Sequence, residues 1–242
     1  MTIMKKSIIC LVSLLSLALG FTSCEKPKSE GKTNITYYAE IVLNGDETMV
    51  VAKGSNFVDP GFTATMKGED VTDQVDVESD VDTSTSGVYS VVYSIVNADG
   101  FPASASRTVI VLDLSDPIEG FWACSPASYR TNTESGAVVE YGASFEILII
   151  GQGDGIYEVD DLLAGWYCQR AGYGTSYAMQ AFIKIDENGA ITLLDSLVPG
   201  WSDAADALSA DAKYDAAAQT IDYTVTYAGY LDFTVTLNKV EL

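Results

Sequence analysis

The decapeptide "GVYSVVYSIV", residues 87–96, sets the strongest constraint on how this chain folds. Ser90, Val92, Ser94 and Val96 alternate with Val91, Tyr93 and Ile95. Successive side chains of a strand point to opposite faces, so this period of two builds a strand with one largely apolar face. Asp99-Gly100 is a hairpin turn signal between it and "ASASRTVIV". The same pattern fills residues 36 to 113, where "YYAEIVL" precedes "NGDE" and "MVVAKGSNF" precedes "VDPGF". About seven short strands with regular turns predict an all-β sandwich.

"DLSDPIE", Asp113 to Glu119, is short and acidic and contains Pro117, so a domain boundary is expected there. The sandwich then occupies 36–114 and a second domain 118–242. "GFWACSPASYR", "VVEYGASFEILIIG", "GIYEV", "YAMQAFIKIDENGAITLL", "QTIDYTVTYAG" and "LDFTVTLNKVEL" read as its strands. Asn188-Gly189 and "GQGDG" at 151–155 are turns. Phe145, Ile147 and Ile149 alternate with Glu146, Leu148 and Ile150, so the second face changes from polar to apolar along the strand. Only "SDAADALSADAKYDA" at 202–216 has a helical look, with an alanine-rich loop as its alternative.

The first residues have the parts of a secretory signal. Lys5 and Lys6 precede an apolar run from Ile8 to Leu19, too short to span a bilayer, which takes roughly 20 residues. "FTSC" ends the segment and resembles the bacterial lipobox, although Phe21 stands where Leu is usual. The resemblance implies cleavage after residue 23, lipidation of Cys24 and a polar tether over 24–35. It also implies a membrane contact through the lipid alone.

The chain has 34 acidic and 13 basic residues, a formal net charge of −21, and losing Lys5 and Lys6 makes it more negative. Such a charge repels phosphate backbones and excludes nucleic acid as a partner. Histidine is absent. That removes Ser-His-Asp and Cys-His catalysis, imidazole-based zinc sites and the commonest general base. No calcium loop or other cofactor motif is present, so neither metal nor cofactor is expected. Asp76, Glu78, Asp80 and Asp82 alternate with valines and read as a charged strand face that discourages edge pairing. Of the four cysteines, Cys124 and Cys168 remain for the folded domain. In an exported chain they form either a disulfide or two free thiols.

"GSNFVDPGFTATMKGEDVT" followed by "SGVYSVVYSIVNADGFPASASRTVIV" resembles the bacterial immunoglobulin-like modules. Gly54, Phe57, Asp59, Pro60, Gly61, Gly87, Tyr89, Tyr93, Asp99, Gly100 and Arg107 carry that likeness. Gly120 with Trp122, and the closing "FTVTLNKV", resemble the ends of lipocalin-like up-and-down barrels. The implied fold is thus an immunoglobulin-like β-sandwich followed by an antiparallel β-barrel or sandwich. As a whole the chain resembles Bacteroidetes envelope lipoproteins that pair an Ig-like module with a glycine- and tyrosine-rich C-terminal β domain. That resemblance implies an outer-membrane anchor, on the cell surface or the periplasmic face. It also implies an association with polysaccharide uptake and its transporters.

"DDLLAGWYCQRAGYGTSY", residues 160–177, concentrates the chemistry. Sugar rings present apolar C–H faces that stack on aromatic rings, and Tyr and Trp provide such area at low entropic cost. Trp166, Tyr167, Tyr173, Tyr177 and Trp201 form the aromatic set; Trp166, Tyr173, Tyr177 and Trp201, with Arg170, are the candidate ligand contacts, and the alternative is that some of these rings cap a core. Asp154, Glu158, Asp160 and Asp161 raise a glycosidase pair, which needs carboxyls about 5 to 10 Å apart. The expectation is a non-catalytic envelope lipoprotein that binds a glycan. The alternatives are a spacer or protein-interaction subunit, or a barrel carrying an apolar small ligand.

Overall fold

The computed structural model describes residues 35–241. The signal segment, Cys24 and nearly all of the expected tether lie outside the described residues. Tyr38 onward forms one compact unit.

Seven strands build its first module: β1 (Glu40–Leu43), β2 (Thr48–Ala52), β3 (Phe62–Met66), β4 (Glu69–Asp70), β5 (Asp76–Ser79), β6 (Gly87–Val96) and β7 (Pro102–Leu112). One sheet has the order β1-β3-β4, the other β2-β7-β6-β5, with β2 parallel to β7. The alternation in β6 does what its period dictates: Val91, Tyr93 and Ile95 are buried, and Val96 faces solvent. Asp99-Gly100 sits in the β6–β7 hairpin, closed by Gly100 N–H to Asn97 O at 3.0 Å. Val91, Tyr93, Val109 and Val111 form the core against Ile41, Leu43 and Phe62 of the facing sheet.

The Ig-like motif residues converge on one ion pair. Arg107 is fully buried, and its Nε lies 3.2 Å from Asp59 Oδ1. Tyr93 Oη donates to the same carboxylate at 2.8 Å, while Arg107 Nη2 donates to Asn44 O and Gly61 O. A buried guanidinium needs this full set of acceptors. The acidic strand β5 is the sheet edge, with all four residues exposed.

The second module is one curled antiparallel sheet. Its strands are β8 (Gly120–Cys124), β9 (Tyr129–Asn132), β10 (Val138–Glu140), β11 (Glu146–Gly153), β12 (Ile156–Val159), β13 (Gln180–Ile185), β14 (Ile191–Leu197), β15 (Ala205–Leu208), β16 (Lys213–Asp215), β17 (Thr220–Tyr227) and β18 (Leu231–Lys239). The path runs β10-β9-β18-β8-β11-β12-β13-β14, with β17 flanking β18 and carrying β15 and β16. β18 pairs β8 through Leu237–Lys239 and β9 through Leu231–Thr234, so the last strand meets the first. The sheet therefore curls into a half-barrel. Isolated pairs Ala190–Lys213 and Val198–Asp203 link β14 toward β16 and β15.

Alternate residues fill the interior: Leu231, Phe233, Val235 and Leu237 of β18, and Ile221, Tyr223, Val225 and Tyr227 of β17. Trp122, Ile147 and Trp166 pack among them. The reading of a carrier barrel therefore meets side chains where it needs a cavity. Residues 202–216 are not helical. They form β15 and β16 on β17, because a short isolated alanine-rich helix is marginal in water whereas the edge of β17 supplies backbone partners.

The apolar outer positions of β11 are explained by the neighbouring module. Ile150, with Leu148 and Phe121, packs against Ile110 and Leu112 of β7. The acidic connection between β7 and β8 is locked down as well. Glu119 Oε2 accepts from Asp113 N–H at 2.8 Å, and Asp116 Oδ2 accepts from Tyr157 Oη at 3.0 Å.

Candidate functional site

β12 and β13 are hydrogen-bonded neighbours, and Val159 pairs Ala181. A hairpin of this kind needs only 2 to 5 connecting residues, roughly. Here the chain instead leaves the sheet over 160–179, and this excursion closes one end of the half-barrel. Leu162, Leu163, Ala164, Trp166 and Met179 are all buried in it. Tyr141 Oη donates to Leu163 O at 2.7 Å, and Tyr223 Oη donates to Leu162 O at 3.0 Å.

One carboxylate organises the loop. Asp161 is 2 % exposed. Its Oδ1 accepts from Leu163 N–H at 2.9 Å and Met179 N–H at 3.0 Å; its Oδ2 accepts from Gly165 N–H at 2.9 Å and the Cys168 thiol at 3.0 Å. Burial pushes its pKa up, while the thiol and the three amides pull it back. Asp161 is thus occupied in holding the loop, and Asp160 accepts from Leu148 N–H.

The chain then makes a wide turn over Trp166–Arg170, with Arg170 N–H bonded to Gly165 O at 2.8 Å and Ala171 N–H to Trp166 O at 3.1 Å. Such five-residue spacings occur mostly as single turns and often at functional sites. Gly165 permits it: φ is +85° there, and a Cβ would fall 2.6 Å from Phe145 Cβ. Consecutive rings leave the turn in different directions. Trp166 goes into the core and Tyr167 to the rim.

Four rings meet at that rim. Tyr167 lies 4.8 Å from Trp201 edge-on and 6.2 Å from Tyr173 in a stacked pose. Tyr177 lies 4.9 Å from Trp201 and 5.6 Å from Tyr173. Trp201 comes from the connection between β14 and β15. Gly200 beside it allows the approach, since a Cβ there would meet the Tyr177 ring at 2.7 Å. Beneath the cluster, Tyr227 Oη donates to Asp203 at 2.8 Å. Tyr173 is 56 % exposed and Trp201 40 %, so the rim offers apolar ring surface to solvent.

The structure thus brings Tyr173, Tyr177 and Trp201 together and separates Trp166 from them. Trp166 is 4 % exposed, with Tyr141 and Phe233 edge-on at 4.9 and 5.6 Å. Arg170 and Arg130 lie over its ring at 4.2 and 4.8 Å. It has no free face for a ligand, and its expected role as a contact is corrected to that of a core anchor. Arg170 is exposed and tied by Nε to Tyr141 O at 3.1 Å and by Nη2 to Glu140 O at 3.3 Å.

Of the remaining rim residues, Tyr167 belongs to the aromatic set read from the sequence though not to the expected contacts, and Arg130 belongs to neither. Tyr167 is the ring that joins the others. Arg130 reaches the site from β9, where it stands opposite Phe233 on the inward face. Burial pushes the Tyr167 phenol up, and the charge and hydrogen bond of Arg130 oppose it.

The disulfide reading is corrected too: Cys124 and Cys168 are both free. Cys168 spends its proton on Asp161, and burial followed by that carboxylate's charge holds its pKa far above the ordinary thiol range. Burial pushes Cys124 up to about 11. Among the described residues no group of His, Cys, Asp and Glu could hold a metal ion, and no helix is long and apolar enough to cross a membrane.

Comparison with known proteins follows the two modules. A model of bacterial surface protein Ig-like domains matches residues 41–111, and a C-terminal domain model matches residues 111–239. The crystal structure of the lipoprotein BT2262 from Bacteroides thetaiotaomicron superposes with a TM-score of 0.71 at 38% identity, covering 84% of this chain and 100% of that one. A structure of CBM51-2 with GlcNAc and INT domains from Clostridium perfringens ZmpB aligns over 83% of this chain and 44% of that one. Its identity is 16% and its TM-score 0.26. None of the curated proteins matches.

Proposed function

Since the chain belongs to the family of the Bacteroides thetaiotaomicron lipoprotein BT2262, we propose that it is a lipid-anchored envelope protein that binds a glycan without cleaving it. The rim of the half-barrel is the binding surface. The cluster of Tyr173, Tyr177 and Trp201 around Tyr167, with Tyr173 and Trp201 open to solvent, carries this reading. In this mostly edge-to-face cluster Tyr173 and Trp201 leave apolar ring surface outward, the chemistry that stacks on the C–H face of a sugar. The enclosure of Asp161 by its own loop and the absence of histidine favour binding over catalysis.

The anchor in this reading is Cys24, and the outer membrane its location. The Ig-like module holds the rim away from the membrane. Calorimetric titration with a panel of polysaccharides tests the proposal. Binding by the wild-type chain, reduced at least tenfold by Trp201→Ala and by Tyr173→Ala with unchanged melting temperature, supports it. Binding that is absent across the panel, or untouched by both substitutions, refutes it.

The interface of Ile110 and Leu112 with Leu148 and Ile150 favours a second reading, in which the chain is a rigid spacer for an envelope complex. Recovery of a transporter subunit with the anchored protein, together with no affinity for any glycan, would establish that role instead.

A further inference from the structure

The sequence contains three arginines, Arg107, Arg130 and Arg170. Arg107 is used in the buried ion pair of the Ig-like module. The other two both lie over one indole, that of Trp166. Neither has a carboxylate within 4.0 Å among the described residues. In a chain where acids outnumber bases by 34 to 13, two guanidinium groups left without acid partners at one spot form a cationic island.

Both are held by contacts that spare part of their hydrogen-bonding edge. Arg170 gives Nε and Nη2 to backbone carbonyls and keeps Nη1. Arg130 has a buried Nε with no hydrogen-bond partner. It stands opposite Phe233, whose ring lies 6.0 Å from that of Tyr167, the ring that contacts both exposed aromatics, Tyr173 and Trp201. Stacking on an indole covers the face of a guanidinium and leaves its N–H edge, and that edge matches a planar oxyanion bidentately. Nearby acids are already engaged. Asp203 accepts from Tyr227 Oη, and Asp232 accepts from Thr226 Oγ1. A neutral sugar makes no use of this island.

We propose that the rim selects an acid-bearing glycan. The sugar ring stacks on Tyr173 and Trp201, and its carboxylate or sulfate lies against Arg130. This rests on the glycan-binding reading above and narrows its substrate class. The shared chemistry is the oxyanion, and the two sources are uronic acids and sulfate esters.

The test is calorimetry on the full mature chain with four probes: an oligogalacturonate, its methyl ester, a sulfated galactan oligosaccharide and the desulfated form. The ester and the desulfated probe keep the ring and remove the charge. At least one acidic probe is expected to bind ten or more times tighter than its neutral twin, and which one does so identifies the oxyanion. Arg130→Met, which removes the guanidinium and keeps an unbranched apolar side chain, is expected to abolish that preference. Equal affinity for both twins of each pair overturns the proposal, and this comparison needs no variant to fold. A preference that survives in a folded Arg130→Met protein also overturns it. Neutral binding that depends on Trp201, without acid preference, refutes this inference alone. Binding of none of these probes, nor of the wider panel, refutes the glycan reading along with it.

Discussion

Asp161→Asn is the substitution that most directly tests how the site is held. It changes one oxygen to an NH2 group at constant shape, in a side chain with 2 % exposure. Keeping the amide oxygen at the Oδ1 position preserves the bonds from Leu163 and Met179. The NH2 then stands where Oδ2 accepts from Gly165 N–H and the Cys168 thiol, so donor faces donor twice. Flipping the amide is worse, because two backbone donors are then opposed where the first orientation opposes one and a thiol. Losing a hydrogen bond to a charged acceptor costs about 1.5–3 kcal/mol, and a stranded buried donor adds roughly 1–3 kcal/mol. Removing a charge that burial disfavours returns part of this. The net expectation is a loss of about 2–4 kcal/mol.

Urea unfolding followed by tryptophan fluorescence measures it. Trp122, Trp166 and Trp201 are the only tryptophans, and all lie in the half-barrel module, so the signal reports that module alone. The midpoint should fall with an unchanged slope. Asp160→Asn is the control: Asp160 is exposed and accepts from Leu148 N–H, so its cost stays near 1 kcal/mol or below. A loss for Asp161→Asn no larger than that of Asp160→Asn would refute the claim that this carboxylate staples the loop.

Three further outcomes follow from the same geometry. Arg107→Met should destabilise the Ig-like module by about 3–5 kcal/mol, since it strands Asp59 and the carbonyls of Asn44 and Gly61; far-UV circular dichroism during thermal unfolding reads this transition. Alkylation in denaturant without reductant should label both Cys124 and Cys168, whereas the native protein near pH 8 should resist labelling; recovery of a linked peptide pair would contradict the free thiols. Cys124 has a folded pKa of about 11, above the unfolded thiol, so its neutral form is the one the fold favours. Its contribution is fully present below about pH 8.5 and lost as pH rises toward 11, and Cys124→Ala should flatten that part of the stability profile in urea titrations.

What the sequence revealed and what it hid divide along the range of the interactions. Strands were legible because alternation is local: Val91, Tyr93 and Ile95 declare their common face within five residues, and Asp99-Gly100 declares the turn. The apolar outer face at Leu148 and Ile150 was legible as an anomaly, but its cause lies in Ile110 and Leu112 of another module. The stretch at 202–216 went astray because alanine favours helix only while no sheet edge competes for the backbone. The site was half legible for the same reason. Tyr173 and Tyr177 are close in sequence, whereas Trp201 joins them through Gly200 and Arg130 through the β9–β18 register, neither of which any local pattern encodes.

Trp166 shows the limit most clearly. It and Tyr167 are adjacent and chemically alike, yet one is the floor of the site and the other part of its surface. The choice is made by a wide turn that depends on Gly165 and on a carboxylate four residues before it. If that account holds, Trp166→Ala should cost about 3–5 kcal/mol in stability, as a large core truncation does. It should also free Arg130 and Arg170 from their shared indole. Trp201→Ala, on a 40 % exposed ring, should leave stability nearly unchanged and, on the proposed glycan reading, weaken binding at least tenfold. Two tryptophans in one module would then separate cleanly, one failing in unfolding experiments and the other only in binding. The reverse assignment in those two assays would show that the ring of Trp201 is part of the core.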